Sequence, residues 1–232
     1  MILNFTILVV SILLAASPAS FNTTNTPSGD STAVILFLLP LIPKAQQVLK
    51  VSPQAQLVYS KYDNAYYVFD DSSNYHCFHL KKQVWEKKKV HYQLEQGMPY
   101  TDFRQRFYPI PVGKGHCLFV LDGCGLVYEF KNDTIKRIDN SYDQKNQFQS
   151  AMYEYKRRVY MFGGYGLFSV KNTHTYFDIQ AKEWFEVYRT SKAAPAARSC
   201  PYFIQTNKEL FVLGGIFKQM QHSHVNTDFW RF

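Results

Sequence analysis

The 232-residue sequence contains no Gly-x-Ser-x-Gly, no His-Glu-x-x-His, no phosphate-binding loop and no dinucleotide fingerprint. None of the enzyme classes that those spacings announce is therefore indicated. The nearest glycine cluster, Gly163-Gly164-Tyr165-Gly166, sits between two strand-like segments, whereas a phosphate loop opens a helix. Cysteine is scarce: Cys77, Cys117, Cys124 and Cys200 stand at no metal-like spacing and no CxxC occurs, so a zinc site is not supported. Cys117 and Cys124 lie on a strand and its exit, roughly 20 Å apart if extended, too far to bridge. The other pairings stay open. No bound metal or cofactor is expected.

Acidic residues are also few, 18 against 26 Lys and Arg, giving a net charge of +8. That balance favours loose contact with anionic partners without selecting one. Its densest cluster, Lys81, Lys82, Lys87, Lys88 and Lys89 around Trp85, reads as a solvated strand and turn, and nucleic acid is not the expected partner.

The first 43 residues carry a single charged side chain, Asp30. Ile7 to Ala16 is an apolar run followed by Ser17, Pro18, Ala19 and Ser20, the shape of a signal-peptide core and cleavage site. The absence of Lys or Arg ahead of it leaves an uncleaved signal anchor as the rival for residues 1–20. Residues 21–52 read as a linker with a candidate strand at 33–42, a stretch broken by Pro40 and too short to span a bilayer of about 30 Å. Export is the expectation, whether secreted, periplasmic or membrane-anchored, and a cytoplasmic chain is the alternative. Membrane contact is expected only through an uncleaved leader. In an exported chain Asn22 and Asn132, each in an Asn-x-Thr sequon, are acceptors for glycans.

The sequence is rich in aromatics: 19 Phe, 17 Tyr and 3 Trp make up 17% of it, within an apolar share of 46%. These side chains suit a pleated, half-buried surface and point to an all-β body. Laid on itself, the chain repeats. Arg106 to Gly123 aligns without a gap on Arg198 to Gly215, matching Leu118-Phe119-Val120-Leu121 to Leu210-Phe211-Val212-Leu213. Val159-Tyr160-Met161-Phe162-Gly163-Gly164 is a third copy, and Tyr66-Tyr67-Val68-Phe69-Asp70-Asp71 a degenerate first one. Anchors at 71, 123, 164 and 215 are spaced by 52, 41 and 51 residues. Such a period suits four strands and their turns.

Each unit repeats the same parts. A strand, a polar turn and a second strand lead to the anchor, where glycine (Gly123, Gly163, Gly164, Gly214, Gly215) fits a crowded strand end or a positive φ. A variable loop and a third strand follow, with Asn172–Asp178 aligned on Asn226–Phe232. A fourth strand holds Trp85 or Trp184, a ring able to wedge between sheets and offer its N–H to a carbonyl. Asp70-Asp71 reads as a turn former.

This order of strand, Gly-Gly, loop, Tyr176-Phe177-Asp178, Trp184, Pro195 and Arg198 resembles the kelch repeat. The resemblance covers residues 53 to 232, in units near 53–100, 101–142, 143–192 and 193–232. It implies an all-β, kelch-type β-propeller of about three and a half to four blades, incomplete or open. Further blades, the 33–42 strand or another chain would be needed to close it. It also implies a non-catalytic surface that binds a protein or glycan, possibly acidic, through loops at one mouth.

Carried over to this sequence, the position before the innermost strand falls on Gln54, Arg106, Gln147 and Arg198. Those side chains either meet a ligand or cap strands and tie blades together. Tyr165, Leu167 and Phe168 after the third anchor, and Ile216, Phe217, Met220, His222 and His224 after the fourth, are candidate contacts. The alternative is a fragment of a kelch-like propeller enzyme, a copper radical oxidase or a glycan-processing enzyme, for which His222 and His224 would be the first ligands to consider.

Overall fold

The computed structural model describes residues 33–35, 49–140, 147–187, 194–206, 208–219 and 222–231. The leader, Asn22, Met220 and residues 36–42 lie outside them. The fold is all-β. Among the described residues, four small antiparallel sheets are arranged as the blades of a β-propeller that they do not close.

Strands β1 (Ala33–Ile35) and β2 (Leu49–Val51) form a two-stranded antiparallel sheet. Of the 33–42 segment offered as a closing strand, the described residues 33–35 pair with β2. Blade 1 follows as an antiparallel meander of β3 (Gln56–Ser60), β4 (Ala65–Phe69), β5 (Asn74–His79) and β6 (Val84–Lys89). Beyond the buried Val90 the chain continues as β7 (His91–Gln93), which joins the next blade. A short helix, α1 (Tyr100–Arg106), then leads into blade 2: β8 (Phe107–Gly113), β9 (His116–Leu121), β10 (Val127–Lys131) and β11 (Thr134–Arg137). Strand β7 pairs in parallel with β11, so the outer edge of blade 2 is covered by chain leaving blade 1.

Blade 3 comprises β12 (Ala151–Tyr155) and β13 (Arg158–Phe162); then, after the hairpin β14 (Tyr165–Gly166) and β15 (Ser169–Val170), β16 (His174–Asp178) and β17 (Glu183–Glu186). Blade 4 has three strands among the described residues. They are β18 (Tyr202–Gln205), β19 (Leu210–Leu213) and, after the hairpin β20 (Ile216–Gln219) and β21 (His222–Val225), β22 (Phe229–Arg231).

Successive side chains point to opposite faces, so Cys117, Phe119 and Leu121 of β9 join the cluster toward blade 1 while Leu118 and Val120 join the one toward blade 3, and such clusters hold the arc together. Between blades 1 and 2 the cluster is aromatic. Phe69 meets Phe119 edge-on at 4.8 Å and Phe130 at 5.2 Å, and Phe103 stacks on Phe107 at 4.7 Å. Edge-to-face pairs of this kind add about 0.5–1.5 kcal/mol each beyond area burial. Between blades 2 and 3 the filling is Leu118, Val120, Val127, Val159, Met161 and Phe177, closed by Trp184. That indole donates to Gly125 O at 2.7 Å, as its wedge position requires. Trp85 holds the matching place on β6, half-buried beside Phe78.

The first strands adjoin in sequence, β3 on β8, β8 on β12 and β12 on β18, around a common axis. At the end of that axis where β3 turns into β4, side chains link the blades. Asp63 accepts from Gly115 N at 3.0 Å, Arg157 Nε donates to Val112 O at 3.1 Å, and Tyr62 Oη of blade 1 donates to Glu154 Oε1 of blade 3 at 2.7 Å.

Candidate partner-binding face

The opposite end of the axis carries the anchors and the loops that leave them. Gly163 and Gly164 both have positive φ, 75° and 96°. A Cβ on Gly163 would lie 2.5 Å from Arg198 O, and one on Gly164 2.5 Å from Gln147 O. The glycines are there so that the start of the same blade, at Gln147, and of the next, at Arg198, can press against this anchor, and Gly164 N donates to Arg198 O at 2.7 Å. In blade 1, Asp71 Oδ1 instead accepts from Ser73 N and Asn74 N, the turn former expected of it.

Strand register corrects the assignment of the mouth residues. Phe69, Leu121, Phe162 and Leu213 precede the four anchors, and they face Gln56, Phe107, Ala151 and Tyr202. Four residues upstream of these stand Ser52, Phe103, Gln147 and Arg198. Gln54 and Arg106 are therefore not the counterparts of Gln147 and Arg198. The gapless match fails because the first hairpin of blade 2 is three residues longer than that of blade 4 and carries an irregularity between Pro111 and Gly113.

The buried pair is structural. Arg198 is fully buried; Nη1 donates to Gly214 O at 2.8 Å and Nη2 to Asp228 Oδ2 at 2.6 Å. Arg198 holds the Asp228 carboxyl below the ordinary aspartate range. Gln147 is 2% exposed, with Nε2 donating to Gly163 O at 3.1 Å and Oε1 accepting from Thr175 Oγ1 at 2.9 Å. Ser52 Oγ donates to Asp70 O at 3.1 Å. Of the two readings of this position, strand capping fits and ligand contact does not. Arg106 and Gln54 do face solvent, Arg106 on the last turn of α1 and Gln54 accepting from Arg104 Nη2 at 2.8 Å. Arg104, buried and also donating to Asp70 O, ties blade 2 to blade 1. No sequence signal marked it, because its role depends on the unforeseen helix α1.

What the sequence reading missed altogether is a further sheet outside the blades. The loops after the third and fourth anchors form hairpins that pair with each other, in the order β14-β15-β20-β21. The joint is Ser169 with Gln219, and the bridges Phe148–Tyr165 and Ser199–Ile216 fasten the sheet to its blades. Tyr165 is half-buried, its N–H bonded to Phe148 O at 2.7 Å. Phe217 stacks on His224 at 4.8 Å. His222 and His224 share one side of β21, and among the described residues no group of three His, Cys, Asp or Glu is placed to hold a metal ion.

In the β14–β15 turn, as in the β12–β13 turn at Lys156-Arg157 (φ 48° and 65°), neither central residue is Asn, Asp or Gly. Leu167 and Phe168 have φ of 49° and 63°, the two left-handed residues of a tight hairpin turn. Asn132-Asp133 fills the same kind of turn between β10 and β11 with side chains that tolerate it. Leu-Phe costs about 1–2 kcal/mol per residue there. Yet both side chains are outside, 68% and 89% exposed, so packing does not repay the strain.

At β21 all four residues are exposed, and within the described residues the strand pairs with β20 alone. Asn226 N donates to Gly215 O, which sets the alternation: His222 and His224 bond toward β20, and the N–H and C=O of Ser223 and Val225 point outward.

Away from this face, a shallow groove of about 550 Å³ between blades 2 and 3 is lined by both signs of charge, including Glu129, Lys136, Arg137, Asp139 and Lys182. It favours no ligand class. No protein-family model matches the chain, and no curated protein is detectably similar to it.

Proposed function

We propose that the chain is a kelch-type, non-catalytic interaction propeller that takes an extended segment of a partner protein along the edge of β21 that is unpaired among the described residues. The observation that carries this reading is that edge. Strand β21 lacks the Pro, Lys and bulges that blunt edge strands, and it offers the backbone groups of Ser223 and Val225 outward beside an aromatic–imidazole pair. Main-chain pairing would supply affinity, and the alternate side chains His222 and His224 would select sequence. Bridges from the β14–β15 and β20–β21 hairpins fasten that edge to blades 3 and 4, and loops held on a scaffold are where binding tends to sit.

Selection of a displayed random-peptide library on the folded protein tests it. Ser223→Pro removes an outward N–H without touching the β20 pairing. Peptides enriched on the wild type should lose binding to Ser223→Pro at an unchanged thermal midpoint. Retained binding would reject the β21 edge as the site.

A further inference from the structure

We infer that the Leu167–Phe168 turn is a membrane-inserting tip, taking the interface of a bilayer that carries anionic headgroups. Three independent observations converge on it. The two apolar side chains are among the most exposed of their kind, Phe168 at 89%. They occupy left-handed positions that Asn and Gly would fill with less strain, and where the β12–β13 turn puts the charged Lys156 and Arg157 in such positions, this turn puts two apolar side chains. The hairpins around them are also one-sided in charge: residues 163–177 and 210–227 contain Lys171, Lys218 and several His but no Asp or Glu.

Register brings these features together. Gly166 pairs with Ser169, Ser169 with Gln219 and Gln219 with His222, so the tip and the far end of the β20–β21 hairpin lie at one end of the sheet. Lys218 is exposed one residue behind.

A bilayer fits this tip better than a second protein does. Two side chains on a tight turn fall far short of the roughly 800 Å² that each partner buries in a stable protein interface. Lipid sets no such minimum, because each apolar side chain partitions on its own account and each nearby cation adds attraction to anionic headgroups. Such contact needs no leader. It is independent of the peptide site, since Ser223→Pro leaves the tip intact.

The experiment uses the full chain with phosphatidylcholine vesicles, with and without phosphatidylserine, read by co-sedimentation. Wild type should bind the serine-containing vesicles and bind the neutral ones far less. The double variant Leu167→Asn with Phe168→Gly should melt at a higher temperature, because it suits the turn, yet bind vesicles about tenfold more weakly. That opposition of stability and binding separates a membrane role from a structural one. Phe168→Trp should show a blue-shifted indole emission on binding. The inference is overturned if neither vesicle binds wild type, if the Asn-Gly variant binds as well as wild type, or if the emission of the Phe168→Trp variant does not move. It also falls if a photo-crosslinker at position 168 captures a protein while vesicles do not bind.

Discussion

Gln147 in blade 3 and Arg198 in blade 4 stand at the same place in strand register and make the same bond, each donating to the carbonyl of the first anchor glycine, Gly163 at 3.1 Å and Gly214 at 2.8 Å. The bond locks the start of the innermost strand to the end of the second. Ser52 Oγ makes the equivalent bond to Asp70 O in blade 1, while blade 2 has Phe103 at this place; where the bond is made by Gln147 and Arg198, it explains why these side chains are buried.

Arg198→Ala should therefore destabilise the protein by about 2–3 kcal/mol, because it strands Gly214 O and leaves the Asp228 carboxylate without its guanidinium. Arg106→Ala, an exposed position, should change stability by no more than about 0.5 kcal/mol. Urea unfolding of the two variants checks the contrast, and equal losses would contradict the register assignment.

The Asp228 carboxyl gives a pH signature. Its folded-state pKa lies below the ordinary value, first through the Arg198 hydrogen bond and then through Trp230. The stability it adds is fully present above the ordinary aspartate pKa of about 3.9 and is lost as pH falls through the depressed value. Asp228→Asn should be less stable than wild type at neutral pH, and the gap should close in acid.

Gly164→Ala should cost about 1–2 kcal/mol for its left-handed backbone, and more for a Cβ set against Gln147 O. Gly97 also has positive φ but has open space around its Cβ position, so Gly97→Ala should cost only the backbone part. Thermal unfolding of the two variants measures the difference.

The cysteines should label in order of exposure. Cys200 is exposed, whereas Cys77 and Cys117 are buried between blades 1 and 2. Burial pushes the Cys77 thiol up to about 11, so little thiolate is present at neutral pH. Maleimide mass labelling should modify Cys200 in the native protein and reach Cys77 and Cys117 only after denaturation.

Much of this fold was legible in the residues. The anchors, the strand pairs ahead of them and the indole of Trp184 repeat because each blade must bury two apolar faces and turn sharply at a crowded end. The mouth was less legible. Sequence identity drew Arg106 onto Arg198, but a hairpin longer by three residues moved the true counterpart to Phe103. In blade 4, Leu213 faces Phe229 where Phe162 faces His174, so alignment of Asn226 on Asn172 is one residue off. A slip of one reverses which face a strand side chain takes. The sheet of β14, β15, β20 and β21 had no local signal, since its pairing joins loops of two different blades through a single residue pair.

The central structural claim is that four sheets curve about one axis, which alone brings Tyr62 in the first blade to Glu154 in the third, 92 residues away. A double-mutant cycle of Tyr62→Phe and Glu154→Gln, read by urea unfolding, tests it most directly. A coupling of about 0.5 kcal/mol or more is expected. Strict additivity of the two substitutions would contradict it.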